Sequence, residues 1–289
     1  MDDGLAAAFE RERPRLRGVA YRMLGSLADA DDAVQEAWLR LSRNDSDEVR
    51  NLGAWLTTVV GRIALDMLRA RRTRKEDPFE DAVVSWPDPV VSPPDGLDPE
   101  QEALLADSVG LALMVVLETL TPAERLAFVL HDLFAVPFAE IGPMLDRSED
   151  AAKMLASRAR RRVQGASVST TDRSRQRDVV AAFQAAARDG DFDTLLAVLD
   201  PDVEIVSDVG ARYTVGAEAA ARHAMSFRRF ATVGRPVLVN GAPGILVLPE
   251  GAPPYALLAF TVRDGLITRL DVVAARERLA RLDVSALGA

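Results

Sequence analysis

Leu5, Phe9 and Leu16, then Val19, Ala20 and Met23, recur at helical spacing, and the run stops at Gly25. Ser26 is placed to cap a second helix whose first turns hold Asp29, Asp31 and Asp32, acids that complement a helix dipole. Its apolar stripe reads Ala30, Ala33, Val34, Ala37, Trp38 and Leu41, which turns Asp32, Gln35 and Glu36 outward. A third helix is predicted from about Leu52 to Arg72, with Leu56, Val59, Val60, Ile63, Met67 and Leu68 inward. Its other face offers Thr58, Arg62, Asp66 and Arg69, and it ends in the basic run Arg69 to Lys75.

The pattern then changes. From Glu76 to Glu100 there is no lysine or arginine, and Pro78, Pro87, Pro89, Pro93, Pro94 and Pro99 interrupt any helix. Acids spread through the segment predict an extended linker with no packed element. Trp86 is out of place in such a linker and is expected to dock.

Residues 101 to 164 return to a helical pattern. Thr121-Pro122-Ala123-Glu124 reads as a capping box with proline at the first helical position. That helix should end near Phe134, followed by a short one from Pro137 to Leu145 that Pro143 kinks or shortens. After a turn at Asp146-Arg147, Ser148 caps a helix to about Val163, with Ala152, Leu155, Ala159 and Val163 inward and Lys153, Arg158, Arg161 and Arg162 outward.

Beyond the small-residue stretch Gly165 to Ser174 the pattern is mixed. Helices are predicted over about 176–188, 192–199 and 217–230, and strands over 203–206, 236–240, 245–248, 256–262 and 266–273. Arg263-Asp264-Gly265 signals a hairpin. Helices followed by an antiparallel meander predict an α+β domain.

Composition narrows the chemistry. The 289 residues suggest roughly two domains with their own cores. No cysteine is present, which removes disulfides, thiolate metal sites and cysteine nucleophiles; His131 and His223 are the two histidines. No metal or cofactor is expected. The acidic start Met1-Asp2-Asp3-Gly4 is unlike a signal peptide and no apolar run would span a bilayer, so a cytoplasmic protein without membrane contact is expected. A net charge of −9 argues against nucleic acid on average, yet the cations are segregated into two helical faces.

Two helices joined by a tight turn, the second bearing outward cations, suit a DNA major groove; a helical hairpin with a solvated basic face fits the spacing equally well. Glu149 and Asp150 at the helix start favour the dipole but repel phosphate unless aimed at base amino groups.

Tyr21 to Gly25 followed by Ala28 to Arg40, and Ala54 to Arg69, resemble region two of extracytoplasmic-function RNA polymerase sigma factors. Leu120-Thr121-Pro122, Phe138 to Ile141 and Ser157 to Arg160 resemble the region-four helix-turn-helix. Residues 176–289 resemble the SnoaL-like fold, a cone-shaped α+β barrel fused to a subgroup of these factors. The implied organisation is two all-α domains, region two at 3–75 and region four at 101–165, joined by an acidic linker at 76–100. A second linker, 166–175, leads to a regulatory domain at 176–289.

The resemblance implies a factor that binds core RNA polymerase, directs it to promoter DNA and has no active site of its own. Asp32, Gln35 and Glu36 would grip the β′ clamp helices, and region four the β flap. Thr58, Arg62 and Arg69 would lie at the downstream promoter element, and Lys153, Ser157, Arg158 and Arg161 at the upstream one. The connector would thread through polymerase near the RNA path. The C-terminal domain would replace a separate anti-sigma protein through three degraded motifs: Trp86-Pro87-Asp88-Pro89, Asp208-Val209-Gly210-Ala211-Arg212 and Ala275-Arg276-Glu277-Arg278-Leu279. These nominate Trp86, Asp88, Asp208, Arg212, Glu277 and Arg278. Other readings are a DNA-binding regulator whose C-terminal domain senses a small ligand, or a DNA-binding module fused to an enzyme. The last would draw on Asp202, Asp208, His223 and Asp271.

Overall fold

The computed structural model describes residues 3–43, 51–75, 86–94, 110–164, 173–210, 213–214 and 216–287. These fall into two compact units: the first takes the described residues up to Asp88 and those of 114–164, the second those of 89–94, 110–113 and from 173 onward. Most of the acidic segment (76–85 and 95–100), the stretch 101–109, the linker 165–172 and Arg212 lie outside the described residues.

The first unit is helical. It begins with α1 (Asp3–Leu24), α2 (Leu27–Leu41) and α3 (Leu52–Lys75). Leu16, Ala20, Ala30, Ala37, Leu41, Leu56 and Val60 are fully buried where the three meet, as their spacing predicts. Gly25 ends α1 at φ 71°, a left-handed conformation that favours glycine, and the Glu118 carboxylate lies where a Cβ would be. At the start of α2 the Ser26 hydroxyl accepts from the Asp29 N–H (3.4 Å) and the Asp88 carboxylate accepts from the Leu27 N–H (3.1 Å). A residue of the proline-rich segment thus shares the capping of α2. Trp86 and Pro87 are buried beside it in sequence.

After α4 (Leu111–Leu117), the helix-turn-helix consists of α5 (Pro122–Phe128), α6 (Phe138–Met144) and α7 (Glu149–Val163). The capping box forms: the Thr121 hydroxyl accepts from the Glu124 N–H and the Glu124 carboxylate from the Thr121 N–H. Burial opposes ionisation of Glu124, but these bonds and Arg162 at 2.9 Å outweigh it and hold the carboxyl below its ordinary range. The helix then continues through a π-helical turn, Val129–Leu133, to Phe134. Pro143 lies inside α6, which stays short. At the α6–α7 turn the Leu145 and Arg147 N–H groups both donate to the Gly142 carbonyl at 3.0 Å, with Asp146 at φ 54°. A Cβ on Gly142 would sit 2.9 Å from the Arg147 carbonyl oxygen, so only glycine permits this approach.

The two helical groups pack together within this unit. Gly61 of α3 lies against Leu126, Leu130 and Met144. Arg125, fully buried on α5, donates to the Arg22 carbonyl of α1 at 2.9 Å and pairs with Glu118 at 2.8 Å. Burial pushes the Arg125 guanidinium below its ordinary pKa, with Glu118 opposing. The Arg22 guanidinium lies 5.2 Å from the Phe134 ring centre.

The second unit is α+β. Its helices α8 (Arg173–Asp189), α9 (Phe192–Val198), α10 (Gly216–Ser226) and α11 (Arg228–Ala231) accompany one seven-stranded sheet. The strands are β1 (Val91–Ser92), β2 (Leu199–Ser207), β3 (Tyr213–Thr214), β4 (Gly234–Val239), β5 (Ala242–Val247), β6 (Ala256–Arg263) and β7 (Leu266–Val273), in the order β1-β4-β5-β6-β7-β2-β3. β4 to β7 form the predicted meander, and Asp264-Gly265 turns the last hairpin with both residues at positive φ. A short helix α12 (Arg276–Leu279) follows β7. Val180, Phe183, Leu195, Val203, Ala221, Phe260 and Ile267 are in the core between helices and sheet.

Three features depart from the sequence reading. β2 pairs parallel with β7, so the sheet is mixed. The single helix expected over 217–230 breaks at Phe227. The linker read as unpacked is packed over 86–92: Val91 and Ser92 form an edge strand on β4, Val90 donates to the Asn240 side chain (3.1 Å), and Asn240 N–H donates back to the Val90 carbonyl (2.8 Å). Proline excludes helix but tolerates an edge strand, which is what forms.

Candidate functional site

On α2, small buried residues at 30, 33 and 37 leave Asp32 and Gln35 exposed and Glu36 half-buried, paired with Arg40 at 2.9 Å. The three acid and amide side chains lie on one outward stripe, with Leu39 (38% exposed) beside them. Arg17 clamps Asp31 at 2.7 Å, and Arg71 pairs with Asp29, so the flanking acids are internally satisfied.

On α3, Arg62 and Arg69 are exposed. Arg69 has Asp66 at 3.7 Å, and Arg62 makes no ion pair among the described residues. Thr58 is half-buried and its hydroxyl donates to the Ala54 carbonyl (3.1 Å), so it presents a methyl and a committed hydroxyl.

α7 buries Ala152, Ala156, Ala159 and Val163; Leu155, expected inward, is only partly buried. Lys153, Ser157, Arg158 and Arg161 are all exposed. Lys153 is held by Glu149 (2.8 Å) and Asp150 (3.4 Å), whose bonds raise its pKa. Those two acids, awkward next to phosphate, are thus partly neutralised by the lysine one turn on. Arg160 pairs with Asp132 and Arg162 with Glu124, both within the unit. Arg158 and Arg161 make no salt bridge among the described residues, which leaves their guanidinium groups available for phosphate or base edges.

In the second unit two of the motif segments meet. The Asp208 carboxylate accepts from the Ala274 N–H (2.8 Å) and the Ala275 N–H (3.1 Å), and Arg278 lies 3.6 Å away. Glu277 is exposed. Of the acid–base candidates, Asp202 is exposed, Asp208 is committed to this cap, and Asp271 is fully buried against Arg269 at 2.7 Å. Only His223 borders the cavity of about 880 Å³ that the helices and sheet enclose. Among the described residues no cluster of three or more His, Asp or Glu could hold a metal ion.

Sequence-family comparison fits this division of labour. Sigma-70 region 2 matches residues 8–74 and Sigma-70, region 4 matches residues 110–163. The ECF RNA polymerase sigma factor SigJ of Mycobacterium tuberculosis is 40% identical over 283 residues, covering 91% of this chain and 89% of the relative. The chain belongs to the extracytoplasmic-function RNA polymerase sigma factors. Mycobacterium tuberculosis SigI is 34% identical over 94% of this chain and 93% of its own. The crystal structure of SigJ aligns over 95% of this chain and 98% of that one, with a TM-score of 0.75 and 36% identity. The likeness to SigJ and SigI therefore runs through the C-terminal unit as well as the two sigma regions. This sigma factor directs transcription initiation, and no described helix is long and apolar enough to cross a membrane.

Sequence reasoning missed the Arg125–Glu118 pair and the Asn240–Val90 clasp. Nothing local marks Arg125 as buried, since an arginine in the first turns of a helix usually faces water. Asn240-Gly241 did carry a signal, being a favoured type I′ hairpin pair with φ 50° and 77°.

Proposed function

We propose that this sigma factor engages core polymerase through the Asp32, Gln35 and Glu36 stripe of α2, seated on the β′ clamp helices, while region four meets the β flap. Arg62 and Arg69, with Thr58 as an apolar contact, face the downstream promoter element. Lys153, Ser157, Arg158 and Arg161 of α7 lie along the upstream one. The nucleotidyl transfer is the polymerase's, and the site of action is the bacterial cytoplasm. The observation that carries this reading is the sorting on α7, with small residues inward and, outward, two arginines that make no salt bridge among the described residues.

The C-terminal unit, a SnoaL-like domain in this reading, modulates activity in place of a separate anti-sigma protein. Support comes from the connector itself: Val91 and Ser92 pair with β4 in that unit's sheet. A connector held there is not free to enter a polymerase channel. Trp86, Asp88, Asp208, Arg212, Glu277 and Arg278 are assigned to this control.

The test is co-elution with sigma-free bacterial core polymerase. Asp32→Arg with Glu36→Arg reverses one exposed charge and one half-buried charge paired with Arg40, and retention should fall about tenfold or more while the loss of that surface pair shifts the melting temperature only slightly. Equal retention would remove α2 from the polymerase contact.

A further inference from the structure

The second unit holds a cavity of about 880 Å³, in the range that encloses a whole small molecule. Its depth is hydrocarbon: Val203, Ile205, Ala220, Leu258, Ile267 and Leu270 supply walls without a polar group. The mouth is different. Phe227 (41% exposed) and Tyr255 (47% exposed) stand at the surface as large, partly apolar side chains. Phe230 stacks on Tyr255 with ring centres 4.2 Å apart and planes within 8°, and His223 lies 4.9 Å from Phe227. Flat rings set around an opening favour a flat guest.

The charges are one-sided. Among the described residues lining the cavity there is no aspartate or glutamate, whereas Arg276 is exposed at the rim and makes no salt bridge. Gln184 is spent on the fold, its amide donating to the Gly234 carbonyl at 2.7 Å. An apolar hollow whose described lining residues include one permanent cation, Arg276, with Arg229 stacked over the Phe230 ring, suits a guest with a flat apolar body and one anionic group.

The rim is also where two motif segments lie. Val209 and Gly210 follow Asp208, Ala274 donates one of the two N–H groups that Asp208 caps, and Arg276 follows the other donor, Ala275. We propose that the cavity is a binding site for a planar, largely apolar small molecule bearing one carboxylate or comparable anion, with the anion held by Arg276 and the ring system clasped by Phe227 and Tyr255. Occupancy bears directly on the Asp208 cap, which gives the C-terminal unit a chemical input. That last step rests on the regulatory reading above; the binding site itself does not.

The experiment uses the full chain without polymerase, so its outcome is independent of sigma activity. Fluorescence titration compares 1-pyrenebutyrate with the cation 1-pyrenebutylamine, which has a similar ring and tether. Saturable one-to-one binding is expected, with the butyrate at least tenfold tighter. Arg276→Glu should weaken the butyrate about tenfold and erase the preference, and Phe227→Ala should weaken both probes. Both positions are exposed, so the fold is preserved, as circular dichroism will verify. Non-saturable binding, equal affinity for the two probes, or butyrate binding unchanged by Arg276→Glu would each overturn the proposal.

Discussion

Arg125→Ala should destabilise the helical unit by about 3–5 kcal/mol, the usual cost of removing one partner from a buried ion pair. Arg125 is 2% exposed and its side chain makes two separate connections, to the Arg22 carbonyl and to Glu118. Truncation strips the carbonyl of a donor, leaves the Glu118 carboxylate (12% exposed) without its counter-charge, and opens a void between α1 and α5. Arg125→Met fills much of that void, so it separates lost volume from lost charge. If Glu118 is the main casualty, Arg125→Met with Glu118→Gln should recover much of the loss. Thermal and urea unfolding of the four proteins measures this. A loss below about 1 kcal/mol would mean that the pair contributes little to joining the two helical groups.

The second large effect concerns DNA. Arg158→Ala with Arg161→Ala should weaken binding to the cognate promoter by about 100-fold or more, since an arginine contact to a base edge is worth about 1–3 kcal/mol. If either arginine instead neutralises a phosphate, log K against log salt becomes shallower by about 0.9 for each arginine removed. Arg160→Ala is the control. Arg160 is tied to Asp132 at 2.6 Å inside the unit, so it should alter DNA affinity far less than its neighbours. Promoter binding by the polymerase holoenzyme at several salt concentrations tests both statements. An effect at Arg160 equal to that at Arg158 and Arg161 would show that total charge, not the outward face, governs binding.

That Arg160 and Arg162 are ion-paired on the surface while Arg158 and Arg161 make no salt bridge among the described residues could not be read from the run Arg158 to Arg162. Helical spacing gives the face but not the partners, and Asp132 lies 28 residues from Arg160. The helices themselves were legible, because their apolar stripes and their caps at Ser26, Thr121 and Ser148 agree on each boundary. The meander was legible for the same local reason. The parallel β2–β7 pair was not, since Leu199 and Ile267 are brought together by the path of the chain and by no local signal. Proline and acid content around Trp86 reads as an unpacked linker. It took two distant partners, Leu27 for Asp88 and Asn240 for Val90, to give that stretch fixed structure. The candidate surfaces followed the same rule. Asp32, Gln35, Arg62 and Arg158 were placed outward by period alone, whereas the half-buried Thr58 shows that the outer face of α3 is narrower than its spacing suggests. Asp208 and Arg278 come within ion-pair distance across 70 residues of chain, a pairing the motif resemblance named in order but not in space.

The most direct measurement is initiation itself. Sigma-free bacterial core polymerase is given the purified full-length chain and fragmented genomic DNA from its own organism, and transcript 5′ ends are sequenced. The account predicts start sites that require the chain and share two sequence elements upstream of the start. It also predicts that these sites disappear with Asp32→Arg and Glu36→Arg, and weaken with Arg158→Ala and Arg161→Ala. A folded chain that yields no start sites beyond those of core polymerase alone would contradict it.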